Sequence, residues 1–317
     1  MILELFQNVP LEPAIIPILI FGVSMHNIDR GVMFMLGSAL ISAMNGAIAK
    51  ILGEELSAME IVFFRNMIGV LLILIALRHT PPSLPGGKLH LLLLRGFFGF
   101  SAMILFFYTI TTIPLGEAIT LNKTSPLFVA ILAFFLMKER LNIYAIMAIF
   151  IGFSGVLFIT QPAKFSMSHD HFLGLLGGFL AACAYATIKK IRDIYDTRII
   201  VLSFVGLGTL LPLLLFLVAP FVNAPDSLAF LFPEFKFPES KTTWALIGFM
   251  AIISTISQWL LTKAYSLGRA GIIGVVSYTN IPFAIGFGIM LGDPFPDLFT
   301  WIGIGMIITA GLLLKKS

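Results

Sequence analysis

The sequence predicts an all-α integral membrane protein of ten transmembrane helices, arranged as two inverted five-helix repeats. The first observation is composition, because 58% of the 317 residues are hydrophobic and 11% are charged. Soluble domains carry about 25% charged residues, so this chain cannot cover a water-facing surface and we expect a lipid bilayer around it. The formal net charge of +4 is too small to indicate a nucleic-acid partner.

The second observation is a series of long apolar segments, each close to the ~20 residues that span a bilayer as a helix. A membrane β-barrel would show alternating segments of about 10 residues, whereas these are continuous. They occupy residues 32–50, 59–77, 91–112, 115–137, 143–160, 172–190, 199–219, 242–264, 271–291 and 299–314.

Basic residues indicate the orientation. With both termini in the cytoplasm, most Lys and Arg residues fall on the cytoplasmic side, including Arg95 near the start of the third segment. This excess is the usual bias of membrane proteins, and it supports a multi-pass topology with cytoplasmic termini. Arg65 and Lys123 lie within segments. The basic residues left on the opposite side are Lys50, Lys164, Lys236 and Lys241.

The third observation is an internal repeat. Residues 37–50 (GSALISAMNGAIAK) align without gaps on 177–190 (GGFLAACAYATIKK), and 115–140 align on 269–294. Each half holds an odd number of predicted helices, so the second half enters the membrane from the opposite side, as in secondary transporters whose site lies between repeats. The predicted units are a cytoplasmic or interfacial lead-in (1–30), a first repeat (31–160) and a second repeat (172–314).

Three stretches carry a family resemblance: FFRNMIG (63–69), the run from LRGFFGF to GVLFI (94–159) and SYTNIPFAIGFGIMLGD (277–293). They resemble the EamA-type transporters of the drug/metabolite transporter superfamily, with Asp293 where that family usually has Glu. The resemblance implies a ten-helix metabolite carrier in a bacterial inner membrane. It implies no particular substrate, because the family carries amino acids, nucleotide-like compounds, vitamins and organic acids.

Lys123 is the first candidate site residue, because a lysine at the centre of a membrane helix is disfavoured by about 2.5–3.5 kcal/mol. One interpretation is a cation that faces a water-filled cavity and binds an anionic group of the substrate. The other is a structural lysine that snorkels or pairs with Glu117. Glu117 lies six residues away, about 240° round a helix, so that pair is awkward. The repeat-related position is Ser277.

Two prolines near Lys123 and its repeat partner predict helix breaks. Pro126 removes one backbone hydrogen bond and frees a carbonyl near Asn122, and irregular backbone is tolerated in membranes where it lines a cavity. Pro282 lies in the equivalent part of the second repeat. A plain kink that shapes packing is the alternative. Neighbouring candidates for substrate binding are Ser125, Tyr278 and Asn280.

Other polar residues inside the segments complete the candidate site. Asn45 and Tyr185 occupy matched positions in the two repeats, as expected of two faces of one cavity. Interhelical hydrogen bonding is the alternative role, and Arg65 could instead snorkel or pair with Glu60. The remaining candidates are Arg65, Tyr108, Gln258 and Trp259.

No enzyme motif such as HExxH, GxSxG or a Walker A loop is present, so we predict neither catalysis nor a cofactor. His169 and His171 flank Asp170 with metal-like spacing, but we interpret them as a solvated loop and predict no metal. No Asp or Glu lies deep in a segment, which gives little support for a buried carboxylate proton relay.

The predicted function is secondary transport of a small metabolite by alternating access, with export of an amino acid or related carboxylate-bearing compound as the first hypothesis. The alternative is uptake or exchange of a nucleoside-like metabolite such as S-adenosylmethionine, which the aromatic residues favour. The sequence leaves the assembly state open, with a homodimer as the candidate.

Overall fold

The computed structural model describes residues 30–314 apart from 83, 85, 138–142, 161–168, 269–272 and 275. The predicted lead-in therefore lies outside the described residues except for Arg30. All regular structure in the described ranges is helical. The α-helices are α1 (Arg30–Leu52), α2 (Ala58–His79), α3 (Leu89–Thr112), α4 (Leu115–Asn122), α5 (Ser125–Met137), α6 (Ile143–Thr160), α7 (His169–Ile191), α8 (Thr197–Val218), α9 (Lys241–Leu267), α10 (Asn280–Met290) and α11 (Leu298–Leu314).

Six helices in the described ranges are long and apolar enough to cross a membrane, namely α1, α2, α3, α7, α8 (with its extension to Phe221) and α9. Shorter apolar stretches lie in α6 and α11. An all-α membrane architecture is thereby confirmed. The fourth and ninth predicted segments differ from single helices: α4 and α5 share the fourth, and a 3₁₀ turn (Ser277–Thr279) precedes α10 in the ninth.

Local sequence fixes where several helices begin. Ser57 caps α2 and forms a capping box, because its hydroxyl accepts from the Glu60 backbone N–H while the Glu60 carboxylate accepts from the Ser57 backbone N–H at 2.8 Å. Such reciprocal bonds satisfy two donors that a helix start leaves unpaired. Asp196 caps α8 and Ser240 caps α9 in the simpler one-sided way.

Helix packing follows a paired pattern. Helix α3 packs along α7 and α1 packs along α9, while α2 packs on α8 and α6 on α11. Gly96 permits the close crossing of α3 and α8, because a Cβ there would collide with the Ser203 backbone carbonyl. Small residues at such crossings let helix backbones approach in membranes.

Polar links tie the helices together near both ends of the bundle. At the Lys50 end, defined by Lys50, Leu115 and Asp293, Lys50 pairs with Asp293, which also accepts from the Leu115 N–H at 3.1 Å. At the Arg198 end, defined by Arg198 and Thr80, Arg198 pairs with Asp196 at 3.0 Å and donates to the Thr80 carbonyl at 2.7 Å. The space between these ends contains the apolar core and the cavity described next.

Candidate substrate-binding cavity

A cavity lies in the centre of the bundle, at the junction of the two sequence halves. It holds about 740 Å³ of unfilled space, counting the part that is open to solvent. Helices α1, α2, α3, α7, α8 and α9, the α4–α5 junction and the start of α10 all contribute to it. The lining residues are Ser42, Asn45, Arg65, Arg95, Gly99, Ala102, Met103, Phe106, Phe107, Ile119, Asn122, Lys123, Ala181, Ala184, Tyr185, Phe204, Ser257, Gln258, Leu261 and Asn280.

Lys123 enters the cavity from the break between α4 and α5. Helix α4 ends at Asn122 and α5 begins at Ser125, so Lys123 and Thr124 form a turn. Pro126 is the second residue of α5, and it lacks the N–H that would have bonded the Asn122 carbonyl. A helix start tolerates proline, so the chain stops one helix and starts another instead of kinking. The break places Lys123 at the C-terminal end of α4.

The Lys123 ammonium has no hydrogen-bond or ion-pair partner among the described residues, although its backbone N–H bonds the Ile119 carbonyl at 2.9 Å. Glu117, the partner considered from the sequence, instead lies 3.4 Å from His171 at the Lys50 end. Gly178 of α7 lies against the break, because a Cβ there would meet the Leu121 carbonyl at 2.9 Å. The small residue lets α7 approach the turn that carries Lys123.

Arg65 is a buried cation of α2, with 3% of its surface exposed. Its guanidinium donates to the Met103 thioether sulfur and lies over the Phe107 and Phe204 rings, 5.5 and 5.9 Å from their centroids. Its Nε has no partner. Pairing with Glu60, the structural alternative, does not occur, because that carboxylate accepts from the Ser57 and Lys236 N–H groups.

Arg95 is a cavity residue that the sequence reasoning missed. We expected it among the cytoplasmic basic residues, but its side chain is 1% exposed and its guanidinium lies 4.9 Å from the Phe204 centroid. One turn along α3, Gly99 leaves room for it, since a Cβ at position 99 would collide with an Arg95 terminal nitrogen. The spacing of Arg95 and Gly99 on one helix face was the available signal.

Six of the predicted substrate-binding residues line the cavity: Lys123, Arg65, Asn45, Tyr185, Gln258 and Asn280. Asn280 donates to the Ala39 carbonyl at 2.7 Å and keeps its Oδ1 unpaired. The Oδ1 of Asn45 is also buried without a partner. The amides therefore offer polar atoms next to the three cations.

The other four predicted residues lie outside the lining. Tyr108 belongs to the Lys50 end, where it donates to Asp170 at 3.1 Å and stacks on Phe230. Trp259 meets the Phe34 ring edge-on at 5.7 Å. Ser125 and Tyr278 are buried in the packing around the breaks. Pro282, the third residue of α10, is exposed and follows the second break.

Among the described residues, the lining carries three basic side chains and no Asp or Glu. A cavity with this charge attracts anions and disfavours cations. Within the described ranges no group of three His, Cys, Asp or Glu residues could hold a metal ion. The arrangement can therefore bind a negatively charged small molecule between aromatic and amide side chains.

Comparison with known proteins agrees with this membrane architecture. The model of the EamA-like transporter family matches residues 29–161. A Helicobacter pylori protein named "Uncharacterized transporter" is 32% identical over 290 residues, covering 90% of this chain and 94% of the relative. The chain belongs to the EamA-like transporter family. It is thus a membrane transporter of the drug/metabolite transporter superfamily.

Other members of the group have more specific names. The "Pseudopaline exporter CntI" of Pseudomonas aeruginosa is 30% identical, over 89% of this chain and 94% of the relative. The "Riboflavin transporter" of Vibrio cholerae is 23% identical, over 89% and 92%. A solved crystal structure at 15% identity superposes with a TM-score of 0.66 over 91% of this chain and 99% of the other, which shows a shared fold.

Proposed function

We propose that this EamA-like protein is a ten-helix secondary transporter that exports an amino acid or related carboxylate-bearing metabolite across a bacterial inner membrane. The substrate binds in the central cavity with its carboxylate at Lys123. The two sequence halves rock against each other to open the cavity alternately to each side. Both termini lie in the cytoplasm.

The unpaired ammonium of Lys123 is the observation that carries this proposal. A partly buried ion without a partner is expensive in a low-dielectric interior, and no acidic residue among the described lining residues offsets it. Water and a substrate carboxylate would both stabilise the charge. The helix break supports the same role, because non-helical backbone at membrane depth is tolerated where it lines a water-filled cavity.

The packing pattern supports two inverted repeats. When each helix is replaced by its counterpart in the other repeat, the packed pair α3–α7 becomes the pair α9–α1. Both pairs are present in the structure. The pairs α2 on α8 and α6 on α11 exchange with themselves. Breaks at Lys123–Thr124 and Ser277–Thr279 fall at related positions. A pseudo-twofold arrangement of this kind supplies the two similar half-structures that alternating access needs.

Export is favoured over uptake by the relative named as an exporter, which is similar to this chain along most of both lengths. A nucleoside-like substrate is the second candidate. The relative named as a riboflavin transporter and the aromatic lining of Phe106, Phe107, Tyr185 and Phe204 favour it, because such rings stack on planar ligands.

Transport by proteoliposomes tests the proposal. The full-length protein would be reconstituted and assayed for counterflow of labelled amino acids, organic acids, nucleosides and S-adenosylmethionine, alongside Lys123→Met and the exposed-site control Lys241→Met. We expect carboxylate counterflow in the wild type and the control, with a loss of at least about tenfold in Lys123→Met. Counterflow of nucleosides alone, unaffected by Lys123→Met, would replace the first candidate by the second.

A further inference from the structure

We propose that the substrate carries at least two anionic groups, of which Lys123 binds one and the Arg65–Arg95 pair binds the other. This inference rests on the proposed function, because it concerns the same cavity and names the substrate class more narrowly. The two arginines lie together in the cavity, although the sequence had suggested a cytoplasmic position for Arg95.

Arg65 and Arg95 come from neighbouring helices and converge on one aromatic ring. Their guanidinium carbons lie 5.9 and 4.9 Å from the centroid of Phe204 on α8. An aromatic face attracts a cation but accepts little from its N–H donors. The two guanidinium groups thus form one positive region, held in place by the ring and with most of its hydrogen-bonding capacity unused.

Individual N–H donors of both arginines lack a hydrogen-bond acceptor. A guanidinium has five N–H donors in a planar fork, yet the Nε of Arg65 and the Nε of Arg95 are both buried without a partner. One terminal nitrogen of Arg65 donates to the Met103 sulfur, which is a weak acceptor. Arg95 has no ion-pair or hydrogen-bond partner among the described residues. A carboxylate is the acceptor that fits such a fork, through two parallel hydrogen bonds.

A purely structural role explains these residues poorly. Replacing buried charges by apolar residues of similar size is often neutral or stabilising, so packing alone would be served equally well by Leu or Met. Gly99 also leaves a space in α3 that the Arg95 guanidinium occupies. The local structure therefore accommodates a charge for which the protein itself provides no counter-ion in the described ranges.

The charges of the cavity favour a substrate with more than one anionic group. Arg65, Arg95 and Lys123 each carry one positive charge, and the described lining residues include no carboxylate. A substrate with one carboxylate at Lys123 would leave both guanidinium groups uncompensated. Since Lys123 enters from the α4–α5 junction and the arginines enter from α2 and α3, a molecule with two separated anionic groups can contact both regions.

Binding of matched ligand pairs tests the inference. The purified full-length protein would be titrated with monocarboxylates, with dicarboxylates of the same carbon skeleton and with phosphorylated monocarboxylates of similar length. We expect the wild type to bind the two-anion ligands about 30-fold more tightly than the monocarboxylates. A preference within the two-anion set would identify the second group as carboxylate or phosphate, and either preference supports the inference.

Arg95→Gln assigns the second anion to the arginine pair, and the exposed-site variant Arg78→Gln is its control. We expect Arg95→Gln to weaken the binding of two-anion ligands at least about tenfold more than the binding of monocarboxylates, so that most of the two-anion preference is lost. Arg78→Gln should keep the preference. Equal binding of one-anion and two-anion ligands by the wild type, or an unchanged preference in Arg95→Gln, would overturn the inference.

Ligand-free stability separates this role from a structural one. We expect Arg95→Gln to melt no lower than wild type, because it removes an unpaired buried charge. A lower melting temperature together with an equal loss of affinity for one-anion and two-anion ligands would indicate a packing role and overturn the inference. Arg65→Gln is a second, independent variant with the same expectations. If monocarboxylates bind through Lys123 but a second anion adds nothing, only this inference fails; if no carboxylate binds at all, the proposed function fails.

Discussion

Lys50 and Arg198, near the two ends of the bundle, differ from the cavity cations in what neutralises their charge. Lys50 pairs with Asp293 and Arg198 pairs with Asp196. Arg65, Arg95 and Lys123 have no acidic partner among the described residues, although Arg65 and Arg95 are almost fully buried. The charges that join helices are paired within the protein, whereas the cavity charges are left for the anionic ligand that we propose.

The largest effect is expected when the cavity receives an acid of its own. Gln258→Glu adds a carboxylate of nearly the same shape to a lining whose described residues include none. Because like charges in a buried site repel by several kcal/mol, we expect substrate affinity to fall by about 100-fold. The ligand-free melting temperature should rise as the cations gain a counter-ion.

Isothermal titration and a melting curve check both effects of Gln258→Glu. Thr242→Glu, an exposed position in the first turn of α9, adds the same charge outside the cavity and should leave affinity unchanged. Wild-type affinity in Gln258→Glu would show that the cavity cations do not hold the substrate anion.

A smaller effect is expected from moving one cation. Gly99→Ala places a methyl group where the Arg95 guanidinium lies, and overpacking a buried site costs about 1–3 kcal/mol. We expect about tenfold weaker binding of two-anion ligands together with lower thermal stability. Ligand titration and thermal melting measure the two quantities.

Gly206→Ala is the matched control for Gly99→Ala, because a Cβ at position 206 of α8 meets nothing within 4 Å. There the gain in helix propensity should leave stability equal or raise it by about 0.5–1 kcal/mol. If both alanine variants bind two-anion ligands as tightly as wild type, then binding of the second anion does not depend on the position of Arg95 over Phe204.

At the Lys50 end we expect a substitution to lower the free energy of unfolding and to leave the substrate affinity nearly unchanged. The Asp293 carboxylate contacts the Lys50 ammonium and the Leu115 N–H, and Lys50→Met leaves only the contact with the Leu115 N–H. Since the pair is partly exposed, the unfolding free energy should fall by only about 1–2 kcal/mol. Substrate affinity should stay within about threefold of wild type.

A double-mutant cycle with Asp293→Asn measures the coupling in this pair. A favourable coupling free energy without loss of binding fits a link that joins helices. A loss of binding as large as that in Lys123→Met would contradict the separation of paired from ligand-binding cations.

The smallest effect concerns pH at the Arg198 end. Burial alone would raise the pKa of the Asp196 carboxyl group. The hydrogen bonds from Arg198 and the positive charge of Arg198 lower this pKa by more than burial raises it, so the pKa is below its ordinary value. A depressed carboxylate pKa stabilises the folded state above the unfolded pKa, and this contribution is lost as the pH falls through the folded value. We expect wild type to lose more melting temperature than Asp196→Asn on acidification below about pH 4. Equal losses would show that this pair contributes nothing to acid stability.

The sequence predicted features in which a local pattern has one physical outcome. Long apolar segments must satisfy their backbone hydrogen bonds internally, so eight helices were predicted at nearly the observed bounds. The fourth predicted segment is instead two helices, and the ninth contains a 3₁₀ turn. Lys123 and Pro126 stood out because charge and a missing N–H are costly in an apolar helix. The structure places Lys123 at a helix break and in the cavity lining.

What the sequence could not predict depends on three-dimensional position. Arg95 lies four residues inside its segment, where the cytoplasmic bias of basic residues explained it without a cavity. Tyr108 and Trp259 are polar aromatics inside segments, but which side of the helix faces the cavity depends on how α3 and α9 rotate against their neighbours. Phe204 is one of 31 phenylalanines, and only the fold shows that two arginines share it.

The central claim is that the cavity cations bind an anionic substrate, and thermal shift with ligand tests it most directly. Wild type, Lys123→Met and Lys241→Met would be melted in detergent with carboxylate metabolites at about a hundred times their dissociation constant, which stabilises a protein by about 2.7 kcal/mol. We predict a carboxylate-dependent rise in melting temperature for wild type and Lys241→Met that Lys123→Met lacks. The same rise in all three proteins would contradict the claim.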